Sequence, residues 1–181
     1  MDTIRQAAVA GQFYARDPDE LATTVAMLLD TVPAAKAPAP KALIGPHAGY
    51  VYSGPVDASA YAQVRPYHDR YRSVVLLGHS HRVPFRGLAA SDAAAFSTPL
   101  GDVPVDRQAI AELDVPGLTV AAAPHAREHS LEVHLPFLQA VLDDFVLVPI
   151  VVGDAAPQLV ARALDARWDG PETLIVISSD L

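Results

Sequence analysis

Four stretches of the chain are continuous apolar runs, and each ends in a small residue followed by a polar one. They lie at 42–47, 73–81, 145–154 and 173–180. These runs are rich in Val, Ile and Leu and do not alternate with polar residues, which is typical of strands buried on both faces. The intervening segments 55–65, 130–143 and 155–167 have helical patterns. Strands that alternate with helices predict an α/β fold, with a mostly parallel, mixed sheet and helices on both faces.

The remaining segments complete a single predicted domain over residues 1–181. Residues 17–32 read as a helix, with Asp17 as its cap and Pro18 at its first position. An extended Pro/Ala connector follows at 33–41. Turn signals within 86–106 predict an excursion with short strands, and 118–130 predicts a strand that runs into a loop.

Polar side chains follow these strands. In open α/β sheets, ligands bind outside the carboxyl ends of the strands. We therefore expect one polar site at that edge. The residues placed there are His47, His79, His81, Asp154 and Asp180, together with Glu128 and His129 after the predicted fifth strand.

The absence of cysteine limits the chemistry that this site can use. Thiolate ligands, disulfides and a cysteine nucleophile are excluded, so a metal would bind through imidazole, carboxylate or water. Two His and one carboxylate form the open arrangement of non-haem iron oxygen chemistry, and the same groups suit hydrolytic zinc. Spacing alone does not decide between them, because the residues come from different strands.

Several of these polar residues also have plain structural interpretations. His68 lies in a polar loop and is predicted to be at the surface, whereas His125 is predicted to be structural. Asp154 is expected to cap the helix that follows it. Tyr50 and Tyr52 either line a pocket or pack with their hydroxyls in solvent.

The segment 128–144 allows two interpretations. Ser130 is expected to cap a helix that begins near Leu131. In the structural interpretation, Glu132 and His134 form a buried hydrogen-bonded pair. In the functional one, which we favour for His129, this residue is an acid/base group that Glu128 or Glu132 orients.

Charge and hydropathy limit the classes of binding partner that we expect for this chain. The net charge is −8 and the 13 Lys and Arg residues are scattered, which disfavours nucleic acid and anionic membranes. The N-terminus lacks a signal-peptide pattern, and no apolar run is long enough to cross a membrane. These features predict a cytoplasmic protein.

Seven ordered motifs make the chain resemble the Memo family, whose prokaryotic members are called AmmeMemoRadiSam system protein B. They are AAVAGQFY (7–14), PHAGYVYSG (46–54), LGHSHRVP (77–84), FSTPLGDVPVD (96–106), EHSLEVHLPFLQ (128–139), VPIVVGD (148–154) and VISSDL (176–181). The family is similar in fold to class III extradiol ring-cleaving dioxygenases, so the resemblance implies a non-haem iron-type site.

The resemblance also assigns residues to this site. It implies that His47 and His81 are metal ligands, and that Asp180 lies near the metal. His129 and Asp180 are expected to be the catalytic residues, as acid/base or orienting groups around the open position. Tyr50, His79, Glu128 and Glu132 are then expected to contact substrate. The metal is expected to be iron, with zinc or copper as alternatives. Family chains continue past the Ser-Ser-Asp motif, so a third ligand is expected beyond Leu181 and the chain is expected to be truncated there.

Three functions are compatible with these observations. The leading hypothesis is a metal-dependent, dioxygenase-like oxidoreductase acting on an unknown small molecule. The second is a peptide- or protein-binding module that works with radical-SAM and AMMECR1-like partners, which the family name implies. The third is a zinc hydrolase, although no G-x-S-x-G nucleophile motif occurs.

Overall fold

The computed structural model describes residues 3–33 and 37–180. Its strands are β1 (Ile4–Arg5), β2 (Ala42–Gly45), β3 (Ser73–His79), β4 (Leu88–Ala90), β5 (Ala95–Thr98), β6 (Gly101–Pro104), β7 (Leu118–Val120), β8 (Val146–Val152) and β9 (Thr173–Ser178). Its α-helices are α1 (Pro18–Asp30), α2 (Tyr50–Tyr61), α3 (Arg107–Ala111), α4 (Ala123–Ala126), α5 (Leu135–Val141) and α6 (Pro157–Asp165). Short 3₁₀ turns lie at Arg65–Tyr67 and Glu132–His134.

A six-stranded mixed sheet carries the fold, in the order β2-β9-β3-β8-β4-β7. The four strands predicted from the apolar runs are mutually parallel, and β4 pairs antiparallel to β8. The two central strands β3 and β8 each bury five consecutive residues, as expected for strands covered on both sides. Helices flank this sheet. The predicted α/β fold with a mixed sheet and flanking helices is therefore confirmed.

A second, three-stranded sheet has the order β1-β5-β6. β5 and β6 form an antiparallel hairpin within the excursion predicted at 86–106, and β1 joins it in parallel. This pairing ties the start of the chain to the middle of the sequence. It places the segment that follows β1 beside the loop after α4, where Arg5 donates to the carbonyl oxygen of His125.

Two predicted helix starts are wrong. The helix predicted at 55–65 begins at Tyr50, because Gly49 is extended and the Tyr50 amide is satisfied outside the helix by the carbonyl of Phe13. Asp154 does not cap α6, whose N-cap is Ala156 with Pro157 in the first turn. Asp154 instead forms backbone hydrogen bonds with Phe85 and Gly87, next to the start of β4.

The segment predicted as a helix over 130–143 is also shorter and less regular. It consists of the 3₁₀ turn Glu132–His134 followed by α5, and Pro136 lies in the first turn of that helix. Ser130 is not a cap: its Oγ donates to the carbonyl of His79 at 3.0 Å. A Cβ at Gly78 would lie 2.7 Å from this Oγ, so glycine allows the segment to approach the end of β3.

The fifth strand runs in the unexpected direction. β7 is parallel to β4 and therefore antiparallel to the central strands, so its carboxyl end points away from the site edge. The chain returns through α4 before it reaches Glu128 and His129. Within residues 3–33 and 37–180, no helix is long and apolar enough to cross a membrane.

Candidate functional site

His47 lies just after β2, where a chain of hydrogen bonds fixes its protonation. Ser178 Oγ, at the end of β9, donates to the carbonyl of Ser130 at 2.6 Å. That hydroxyl hydrogen is thus engaged, and Ser178 Oγ accepts from His47 Nδ1 at 2.7 Å. The proton of the neutral ring therefore resides on Nδ1, and Nε2 keeps its lone pair. Nε2 is buried and has no hydrogen-bond partner among the described residues.

His81 is oriented in the same way by a carboxylate. Its Nδ1 lies 2.8 Å from Glu128 Oε1, and its backbone amide donates to Glu128 Oε2 at 2.6 Å. The backbone amides of His129 and Ser130 also donate to Glu128 Oε1. A carboxylate that accepts from Nδ1 leaves Nε2 as the free electron-pair donor, as in the supporting shell of many metal sites.

His79 and His129 complete a cluster of four imidazoles. The ring of His81 lies 3.9 Å from that of His79 and 4.4 Å from that of His129, between centroids. The His47 ring lies 5.0–5.6 Å from the other three. Phe13 packs against His129 at 4.8 Å and closes one side. The edge predicted from the strand ends thus gathers all four histidines.

Two groups within this cluster have ligand atoms within 4.8 Å of one another: His47, His79 and His81 in one group, and His81, Glu128 and His129 in the other. Both oxygens of Glu128 already accept hydrogen bonds, whereas His47 Nε2 is buried without a partner. We therefore favour the group of three imidazoles as the primary ligand set. Such a set fits a divalent transition metal.

The pKa values of His47 and Glu128 favour metal binding by this cluster. Burial and the neighbouring histidines lower the pKa of His47 to about 4, against the opposing effect of Asp180. Burial opposes ionisation of Glu128, but the amides of His81 and Ser130 and the His81 ring lower its pKa to about 2. At neutral pH His47 is therefore neutral and Glu128 is charged, which is the state that binds metal without prior loss of a proton.

Asp180 reaches the cluster from the end of β9. Its Oδ1 accepts from the backbone amide of His47 at 2.8 Å, while its Oδ2 lies 3.5 Å from His47 Nε2. The latter separation is too long for a hydrogen bond. The Asp180 side chain is 54% exposed, so it borders the open side of the cluster. The third ligand expected beyond Leu181 lies outside the described residues.

Two residues expected to contact substrate point into the core instead. Glu132 is fully buried, and its carboxylate accepts from the amides of Ala8 and Val9 and from the Tyr14 hydroxyl. Tyr50 is buried, and its hydroxyl donates to the carbonyl of Val133. Neither side chain has a polar atom left for a ligand, so we assign both to the core. Tyr52, by contrast, is 82% exposed.

The predicted Glu132–His134 pair is wrong, since each residue has a different partner. His134 Nδ1 lies 2.9 Å from the Tyr61 hydroxyl. Glu132 forms an ion pair with Arg5, which sequence reasoning missed because a single charge near the N-terminus gives no signal of burial. The other structural predictions agree with the structure: His68 is exposed beside Asp143, and His125 is buried with Nε2 3.0 Å from the Ala89 carbonyl.

Arg5 forms hydrogen bonds that hold the loop carrying Glu128 and His129 in place. Besides Glu132, its guanidinium donates to the carbonyl oxygens of His125 and Glu128. These bonds fix the backbone on both sides of residues 126 and 127. We infer that Arg5 positions Glu128, and through Glu128 the imidazole of His81.

The buried histidines predict a loss of stability in mild acid. Burial lowers the folded-state pKa of His125 to about 4 and that of His134 to about 3, against about 6.5 in the unfolded chain. Between pH 6.5 and 4 the unfolded state binds more protons, so their contribution is complete above pH 6.5 and falls as the pH drops. Burial raises the pKa of Asp57 to about 7, which acts in the opposite direction.

Urea unfolding between pH 7.5 and 4.5 measures each contribution separately. We expect His125→Gln to flatten the pH dependence by about 1 kcal/mol per pH unit, which is close to the limit for one proton. Asp57→Asn is expected to steepen it. Unchanged slopes in both variants would contradict these assignments.

An α/β sheet edge that holds oriented, neutral imidazoles defines a candidate metal site. The family model described as "Memo-like protein" matches residues 5–181, and the chain belongs to this family. Protein MEMO1 of Homo sapiens is 34% identical over 185 residues, covering 97% of this chain and 61% of that protein. The chain therefore spans about three-fifths of the vertebrate relative's length.

Two further relatives show the same degree of similarity. Protein MEMO1 of Xenopus laevis is 35% identical over 185 residues, with the same shares of both chains. A "MEMO1 family protein" of Thermotoga petrophila is 34% identical over 194 residues, covering 98% of this chain and 69% of the bacterial one. The resemblance inferred from the seven motifs is thus confirmed.

Proposed function

We propose that this Memo-family protein is a metal-dependent oxidoreductase with an iron-type, dioxygenase-like site. The observation that carries the proposal is His47 Nε2, a buried lone-pair donor that has no partner among the described residues and faces three other imidazoles. His47 and His81 would hold the ion, and His79 would add a third nitrogen donor. A bound iron would supply Lewis-acid and one-electron chemistry that these side chains lack.

The surrounding residues have distinct roles in this proposal. Ser178 and Glu128 hold the Nδ1 protons of His47 and His81, which directs both Nε2 atoms toward the ion. Asp180 lies on the open side and orients the loop of His47 through its amide. His129 borders the cluster and is suited to accept or return a substrate proton.

Oxygen uptake tests this activity against the hydrolytic alternative. The protein is loaded with Fe²⁺ or Zn²⁺ and offered a panel of catechols, esters and phosphoesters. We expect oxygen consumption with a catechol in the iron-loaded form only, because zinc has no redox chemistry. Hydrolysis by the zinc-loaded form without oxygen uptake by the iron-loaded form would overturn the oxidoreductase proposal.

A second candidate is the binding module with radical-SAM and AMMECR1-like partners. The observation that favours it is a group of exposed apolar residues on α2, namely Val51, Tyr52 and Val56, of which Val51 is 90% exposed. Exposed apolar patches of this kind are typical of protein interfaces. Co-purification of such a partner that persists after metal removal and is lost in the Tyr52→Asp variant would support this function. Loss of the partner on chelation would count against this function.

A further inference from the structure

The lining of a depression of about 450 Å³ includes residues that directly adjoin His81 and Glu128 in the chain. The N-terminal segment, including Gln6 and Gln12, lines one side, and Arg82 and Arg127 line the other. None of the described residues that line it is acidic. Its volume lies within the range of small-molecule pockets, 300–1,000 Å³.

The chain places both arginines directly next to residues of the metal site. Arg82 follows His81, and Arg127 precedes Glu128, which orients His81. A molecule held by the arginines would therefore lie next to residues of the cluster.

Neither arginine forms a hydrogen bond or ion pair with another residue in the described part of the chain. The protein has 21 acidic residues and a net charge of −8, so acidic partners are abundant elsewhere on its surface. Two guanidinium groups without an acidic partner among the described residues therefore line the same depression, in a chain whose overall charge is negative. An anion between them would supply the missing negative charge.

We propose that this depression is an anion subsite, in which Arg82 and Arg127 hold the carboxylate or phosphate of a small organic substrate. The inference rests on the proposed function, because it names the substrate class of the same metal site. Planar guanidinium groups match both anions through paired hydrogen bonds. The remainder of the substrate then lies over the cluster, beside His129 and Phe13.

Binding of simple aromatic anions tests the subsite without any catalysis. Benzoate and phenyl phosphate are titrated into metal-free and zinc-loaded protein at pH 8, and benzyl alcohol serves as the neutral probe. Arginine Nε–H resonances report binding by NMR. The probe that binds more tightly identifies the anion as a carboxylate or a phosphate.

Matched variants separate this subsite from general charge effects. We expect Arg82→Gln combined with Arg127→Gln to weaken anion binding at least tenfold. Arg70→Gln combined with Arg162→Gln removes the same charge away from the depression and should change binding less than twofold. Benzyl alcohol should not bind, and higher salt should weaken anion binding because exposed charges are screened.

The outcomes distinguish this inference from the proposed function. If the Arg82/Arg127 variant loses anion binding but keeps zinc affinity within twofold, the subsite is supported as a feature separate from the metal ligands. Equal loss in both arginine pairs, or no anion binding by the wild type, would overturn the subsite. Absence of zinc binding with anion binding intact would overturn the metal proposal alone.

Discussion

Replacing Arg5 with Met is expected to lower the free energy of unfolding by about 3–5 kcal/mol, the range for breaking a buried ion pair from one side. The Glu132 carboxylate would stay in the core without its counter-charge, since both side chains are almost fully buried. The carbonyl oxygens of His125 and Glu128 would also lose their donor. Urea unfolding at pH 7.5 measures the change.

Two further variants isolate the cause of that loss. Arg16→Met removes an exposed arginine that bonds only to the Ala10 carbonyl at 3.3 Å, and should cost less than about 0.5 kcal/mol. Glu132→Gln in the Arg5→Met background removes the stranded charge and should recover part of the stability. Similar losses for Arg5→Met and Arg16→Met would show that the buried pair does not hold this region together.

Replacing Glu128 with Gln is expected to weaken divalent metal binding by about 10- to 100-fold, as for other residues that orient ligand imidazoles. The neutral amide can still accept one hydrogen bond, so the fold is retained while the His81 Nδ1–H loses its charged partner. The charge of Glu128 has a large effect because its carboxylate is buried, whereas the His81 side chain is 29% exposed.

Chelator competition with Co²⁺ measures the affinity, and the Co²⁺ absorption spectrum reports the ligand geometry. Glu112→Gln is the matched control, because Glu112 is 57% exposed and distant in sequence from the cluster. We expect a changed spectrum and lower affinity only for Glu128→Gln. An unchanged affinity would mean that Glu128 does not orient His81 toward a metal.

The sequence predicted the four parallel strands because each is an uninterrupted apolar run. β2 departs from this pattern, since it lies at the edge of the sheet and buries only one face. The topology of a parallel sheet then brings His47, His79 and His81 to one edge without further information. Local signals were less reliable. Asp154 resembles a helix cap in sequence, yet its backbone pairs with Phe85 and Gly87 just before β4, and α6 begins three residues later.

The sequence did not predict contacts between residues that lie far apart along the chain. The pair of Arg5 and Glu132 joins residues 127 positions apart, and no periodic pattern links them. The Ser178 hydroxyl fixes the proton of His47 only because β2 and β9 are neighbours in parallel register, with Gly45 opposite Ser178. The Ser-Ser-Asp motif had pointed to Asp180, whereas the first residue of this motif, Ser178 at the end of β9, orients the imidazole.

The central claim is that His47 and His81 hold a divalent metal at this edge of the sheet. Elemental analysis after reconstitution with Fe²⁺ or Zn²⁺ tests it most directly, comparing the wild type with His47→Ala plus His81→Ala. His68→Ala is the control, since that histidine is exposed and paired with Asp143. We expect about one ion per chain in the wild type and control, and almost none in the double variant. Equal metal content in all three proteins would contradict the account.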